Sequence, residues 1–223
     1  MTAGSLCAIT VRTGTRPERH WSKHFLSSSP PPMDRTSILN DYVTDMSAVE
    51  AHILAAVERQ LASDDTARYP EAVSALTDLQ STLTKHVTAL EAYNERTDGG
   101  GVKEALKEAV AGALGVAAGF YDQLRPTDKV SRMIRDAYTA TSLAAISYHM
   151  LYTTALALKA DDLAALALGN LSDLTDRIGQ LSETVCTVVA AELTDEDKTI
   201  DPTVGADAVR ATQAAWATME ETS

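Results

Sequence analysis

Leu76-Thr-Asp-Leu-Gln-Ser-Thr-Leu-Thr-Lys-His-Val-Thr-Ala-Leu-Glu-Ala-Tyr-Asn-Glu-Arg96 is the stretch whose reading decides the fold. Leu76, Leu79, Leu83, His86, Leu90 and Tyr93 recur at alternating spacings of three and four, the period of a helix stripe that faces a helical core. His86 is the one strongly polar side chain on that stripe. A lone histidine on an apolar stripe is more often a core residue bonded across the interior than a ligand. Left without a partner it would cost about 1–3 kcal/mol. Glu50, Tyr42, Tyr93 and Tyr148 are the partners the sequence offers.

The same period recurs on both sides of this helix. Before it, Leu39, Tyr42, Met46, Val49, Ile53 and Ala56 predict a helix from about Ser37 to Ser63, with Thr36 or Ser37 as its cap. Asp64 to Pro70 is a turn. Pro70 then opens the next helix, because its preset φ suits the first turn and its missing N–H costs nothing there. Thr97-Asp-Gly-Gly-Gly101 ends that helix. A shorter helix is predicted over 102–124, with Gly112, Gly115 and Gly119 allowing close helix approach, followed by a turn at Arg125–Asp128 capped by Thr127 or Asp128. Two long helices follow, over about 129–159 and 162–193. Their stripes are Val130, Ile134, Ala137, Thr141, Ala144, Tyr148, Leu151, Ala155 and Leu158, then Leu163, Ala167, Asn170, Leu174, Leu181, Val185 and Val188. Short connections make sequential helices antiparallel neighbours.

Composition agrees with a helical core. The chain has 223 residues, of which 45% are hydrophobic but only 5% aromatic. That suits one domain of helices packed through small and aliphatic side chains rather than a β-sandwich. The formal net charge of -12 repels nucleic acid and anionic lipid, so neither is expected as a partner. No apolar run reaches the ~18–20 residues that span a bilayer. No charged-then-apolar leader opens the chain, and a cytoplasmic location is the default expectation. Two cysteines, Cys7 and Cys186, make neither a metal cluster nor a disulfide framework, and Cys186 reads as a small core residue.

Residues 1–35 read as a disordered arm, locally basic and carrying the run Ser27-Ser-Ser-Pro-Pro-Pro32. The alternative is that translation starts at Met33. Residues 36–194 form the helical domain. Residues 195–223 read as an acidic linker and a mobile tail, with a short helix from Gly205 to Met219 that carries Val209 and Trp216 on one side.

Two helix pairs around an inserted segment, with Asp45-Met-Ser-Ala-Val-Glu50 in the first helix and His86-Val-Thr-Ala-Leu-Glu91 in the second, resemble the ferritin-like superfamily. More narrowly they resemble the bacterial rubrerythrin-related stress proteins, which carry an extra short helix between the two hairpins. The resemblance implies an all-α, antiparallel four-helix bundle, with that shorter helix between helices two and three. It also implies a di-metal site built from one Glu on each of two helices and a Glu-x-x-His pair on each of the others. Position by position the ligands thin out. Glu50 matches the lone carboxylate of the first helix. His86 matches the second-helix histidine, but Leu83 stands where its Glu should be. The third helix offers Tyr148 and His149, and the fourth offers Asp173-Leu-Thr-Asp176.

The expectation is therefore a non-catalytic ferritin-like bundle, structural or stress-associated and able to self-associate, with no cofactor. One alternative is an oxidoreductase or iron-handling protein. It would hold iron or another divalent metal on Glu50, His86, His149, Asp173 and Asp176. The other is an adaptor that binds a protein partner through its C-terminal helix. No phosphate-cradling Gly-Lys-Ser/Thr loop and no Gly-x-Ser-x-Gly elbow occurs in the sequence.

Overall fold

The structure is a computed structural model that describes residues 34–97 and 129–220, with side chains described up to 217. Among the described residues it is all-α, with six helices and no strand: α1 (Arg35–Leu61), α2 (Asp64–Ala67), α3 (Pro70–Thr97), α4 (Val130–Leu158), α5 (Asp161–Glu196) and α6 (Val204–Glu220). The basic arm, the helix expected over 102–124 and the Arg125–Asp128 turn lie outside the described residues.

Local chemistry sets the boundaries. Asp34, rather than Thr36 or Ser37, caps α1: its Oδ1 accepts from the N–H groups of Thr36 at 3.1 Å and Ser37 at 3.3 Å. The turn after α1 contains the single-turn helix α2, and Pro70 is the first residue of α3. The start of α4 is capped from another helix. Glu192 of α5, itself buried, accepts from the N–H of Ser131 at 3.0 Å and from its hydroxyl at 2.6 Å. At the other end of α4, Lys159 turns left-handed with φ 58, and the N–H of Ala160 returns to the carbonyl of Ala155 at 2.9 Å. That closure lets α5 begin with only two residues between it and the end of α4. The acidic run expected as a break after residue 194 continues α5 as far as Glu196.

Four long helices surround one core. α1 packs on α3 and α4, and α5 packs on the same two, so α1 and α5 stand across the core from each other. The cross-links give the directions. Asp78 meets Gln180 and Lys85 meets Asp173, so α3 and α5 run antiparallel. Gln60, near the end of α1, donates to the carbonyl of Met133, near the start of α4. Tyr93, Arg96 and Thr97 share one surface depression with Lys159 to Leu163, which places the end of α3 beside the α4–α5 turn. α3 therefore ends at one end of the core and α4 begins at the other. The fully buried Leu76, Leu79, Leu83, Leu90, Ile134, Leu151, Leu163 and Leu174 fill the centre. Each buried aliphatic side chain of this size contributes roughly 1.5–3 kcal/mol.

The last helix, α6, lies along α5. Gly205 makes the approach feasible, because a Cβ there would stand 3.0 Å from Ala190 Cβ and 3.3 Å from Thr187 Cα.

Candidate functional site

Two ionisable side chains sit at the centre of the molecule. Glu50 and His86 are both 0% exposed. The α1 stripe read from the sequence leaves Glu50 just off the core face. In the structure α1 packs on two neighbours, so its buried arc is wider and is turned by about one residue. It is centred on Val43, Met46, Ser47, Glu50, Ile53 and Val57. The α3 stripe is buried as predicted, from Leu76 through His86 to Tyr93.

The three elements α1, α3 and α5 meet in a relay. Glu50 Oε1 lies 2.9 Å from Nδ1 of His86, and Asp173 Oδ2 lies 3.2 Å from its Nε2. Both contacts join a ring nitrogen to a carboxylate oxygen, so each requires a proton between its two atoms. With Asp173 kept ionised by Lys85, two arrangements satisfy this. Either the imidazolium donates to two carboxylates, or a protonated Glu50 donates to Nδ1 while Nε2–H donates to Asp173. Both hold two protons and a net charge of minus one. Lys85 Nζ, 2.6 Å from the same Asp173 oxygen, supplies the compensating cation at the half-exposed end of the relay.

The environment splits the two carboxyls. Burial pushes Glu50 above its ordinary value of 4.5, against the pull of the His86 hydrogen bond and charge and of the nearby Tyr148 hydroxyl. The Lys85 ammonium, and then His86, hold Asp173 below 3.8 although partial burial opposes them. Tyr148, fully buried on α4, stands edge-on to His86 with ring centroids 6.0 Å apart. Its hydroxyl accepts from Nδ2 of Asn170 on α5 at 2.8 Å. Burial, then the Glu50 charge, keep this phenol protonated. The Tyr148 hydroxyl perturbs Glu50 without making a hydrogen bond of ordinary geometry to it, and Glu50 Oε2 has no hydrogen-bond partner.

Of the residues singled out from the sequence, Glu50, His86 and Asp173 come together. His149 and Asp176 are exposed and make no hydrogen bond to the relay. His149 follows Tyr148, and a step of about 100° turns it away from the core. Lys85 and Asn170 are further members of the network. The signal for Asn170 is its place as a polar residue on the apolar stripe of its helix, as with His86. Lys85 has only its adjacency to His86.

The ligand set of a ferritin-like di-metal centre is not met. Its α3 carboxylate position holds Leu83 and its α4 position holds Tyr148, both fully buried. α5 contributes one carboxylate instead of a Glu-x-x-His pair, and both nitrogens of His86 are already engaged by carboxylates. Among the described residues no group of three or more His, Cys, Asp or Glu side chains is arranged to hold a metal ion. What the arrangement can do is hold and move a proton along the Glu50–His86 contact, out of reach of water. It also joins three helices through one side chain.

A second concavity, about 260 Å³, opens where α6 meets α4 and α5. Its walls include Tyr138, Val185, Cys186 and the half-exposed Trp216. Cys186, expected in the core, is a free and half-buried thiol in that wall. Its α5 position faces the seat of α6 instead of the bundle centre.

The chain matches no protein-family model, no curated protein and no solved structure in the comparisons made.

Proposed function

We propose that this chain is a ferritin-like four-helix bundle with a structural, stress-associated role and no metal chemistry. In it the Glu50–His86–Asp173 relay replaces the di-metal centre as the tie between helices. The single observation that carries this reading is that both ring nitrogens of His86 are held by carboxylates, with Lys85 already serving as the local cation. The path of the chain supports the ferritin-like part. One antiparallel pair is followed by a second whose first helix starts at the far end, the order of bundles with a single long crossover. Leu83 and Tyr148 at the would-be ligand positions support the absence of chemistry.

One observation favours the metal-binding alternative, the buried and unpartnered Glu50 Oε2. A single experiment decides between the two. The full-length protein is incubated anaerobically with Fe(II), passed through a desalting column and assayed by elemental analysis. The expected result is well under one iron per chain, unchanged in His86→Gln. Retention of about one or two irons per chain, abolished in that variant, would establish the metal reading and end this one.

A further inference from the structure

α4 carries two stripes. One is the buried set that ends Thr141, Ala144, Tyr148, Leu151 and Ala155. The other is Thr139, Leu143, Ile146, Met150, Thr153 and Ala157, spaced four, three, four, three, four, and all six are exposed. Leu143, Ile146 and Met150 are 58%, 56% and 54% exposed. Such spacing is the a/d seam of a helix that packs against another helix. No Asp, Glu, Lys or Arg occurs between Asp136 and Lys159, in a chain whose net charge is -12. Exposed apolar side chains in contiguous rows mark contact surfaces.

We propose that this outer face of α4 is a two-fold interface on which a second copy of the chain packs antiparallel. Two features select that occupant. First, an acidic molecule can approach its own copy only over a face that carries no charge, and α4 provides one. Second, the seam is complementary to its own reverse. About a dyad at Tyr148, Ile146 faces Met150 of the second copy twice over. The large Leu143 then faces the small Thr153, and Thr139 faces Ala157, so the seam is bulkiest at the dyad and narrows equally toward both ends.

The seam from Thr139 to Ala157 is about 27 Å long. One helix face of that length lies below the roughly 800 Å² per partner of a standard interface, so the association is reversible and depends on concentration.

The test is sedimentation velocity of the full-length protein over roughly 1–100 μM, the range in which a small interface changes state. The weight-average mass should climb from one chain toward two. Ile146→Glu and Met150→Glu should each weaken association at least tenfold while leaving the thermal midpoint of the monomer, measured at the low-concentration end, unchanged, because both positions are exposed. Val204→Glu, on α6, should leave association intact. A nitroxide at Thr139→Cys, in a Cys7→Ser/Cys186→Ser background, should report roughly 25–30 Å between copies if they are antiparallel. A wild-type chain that stays monomeric over the whole range overturns the proposal. That includes the case in which Ile146→Glu lowers the midpoint of the monomer, since another part of the same chain would then cover the face. A dimer that survives Ile146→Glu and Met150→Glu together, or a label distance near 10 Å, also overturns it.

Discussion

Glu50 depends on His86 because the ring Nδ1 is its hydrogen-bond partner, whereas His86 is also held at Nε2 by Asp173. Replacing His86 by Leu leaves a carboxyl at zero exposure with nothing to bond, and breaking a buried pair from one side costs about 3–5 kcal/mol. Burial already raises the proton affinity of Glu50, so the carboxyl left behind can take up a proton, which places the cost at the lower end of that range. Replacing Glu50 by Met orphans Nδ1 of His86 and should cost about 1–3 kcal/mol. The double variant leaves an apolar site of similar volume. It should be more stable than the sum of the single losses by about 1–3 kcal/mol, read from urea unfolding as a double-mutant cycle. Strict additivity would mean that the 2.9 Å contact contributes nothing. The importance of His86 was legible in the sequence, since it interrupts an apolar stripe, and Glu50 was among its candidate partners. Its second partner was harder to read. Asp173 belongs to the flank of its helix and meets His86 only through the relative rotation of α3 and α5, which no single-helix periodicity encodes.

At the level of elements, helix existence follows from local chemistry and helix docking does not. Pro70 and the apolar spacings place the four long helices to within a few residues. The cap of α4 lies 61 residues away on Glu192, out of reach of any local capping rule. The seating of α6 likewise depends on a tertiary approach. Gly205 is open to α5 at a point where even a methyl would press on Ala190. Gly205→Val should therefore lift α6 from α5 without disturbing the core. The expected outcome is faster tryptic cleavage at Arg210 and a red-shifted Trp216 emission, with the main unfolding midpoint within about 0.5 kcal/mol of wild type. A loss of several kcal/mol would instead make α6 part of the cooperative core, and unchanged cleavage would show that the close approach does not hold the helix.

At the scale of the molecule, the all-helical class was legible because 3–4 periodicity runs through every long apolar segment. The path of the chain came from long-range cross-links such as Gln60 with Met133 and Asp78 with Gln180, which leave no mark on local sequence. The charge distribution then makes a prediction about pH. Burial raises the Glu50 carboxyl above 4.5 in the folded chain, so the stability linked to its proton is present below 4.5 and is lost as pH rises through the folded value. Folding takes up a proton there, so stability falls as pH rises. The net charge of -12 acts in the same direction, since self-repulsion eases as pH falls toward the isoelectric point near 4.8. His52 opposes this, because burial lowers its affinity for a proton, and its contribution is lost as pH falls through 6.5. Asp173, held down by Lys85, and Asp195, Asp197 and Asp201, held down by Lys198, Thr199 and Thr203, set the acid limit. Their folded values are depressed, so the stability they contribute is present above 3.8 and lost as pH falls through those values. The thermal midpoint at low salt should thus rise from about pH 8 to a maximum at about pH 5–6, then fall steeply below about pH 4. Added salt near 1 M should raise the midpoint more at about pH 8 than at the maximum, because it screens the repulsion and not the buried relay. The Glu50→Met/His86→Leu double variant should lose the relay's share of the alkaline slope and keep the salt-sensitive share. A midpoint that is flat or rising between about pH 6 and 8 would show that burial does not raise the proton affinity of Glu50 in the folded chain.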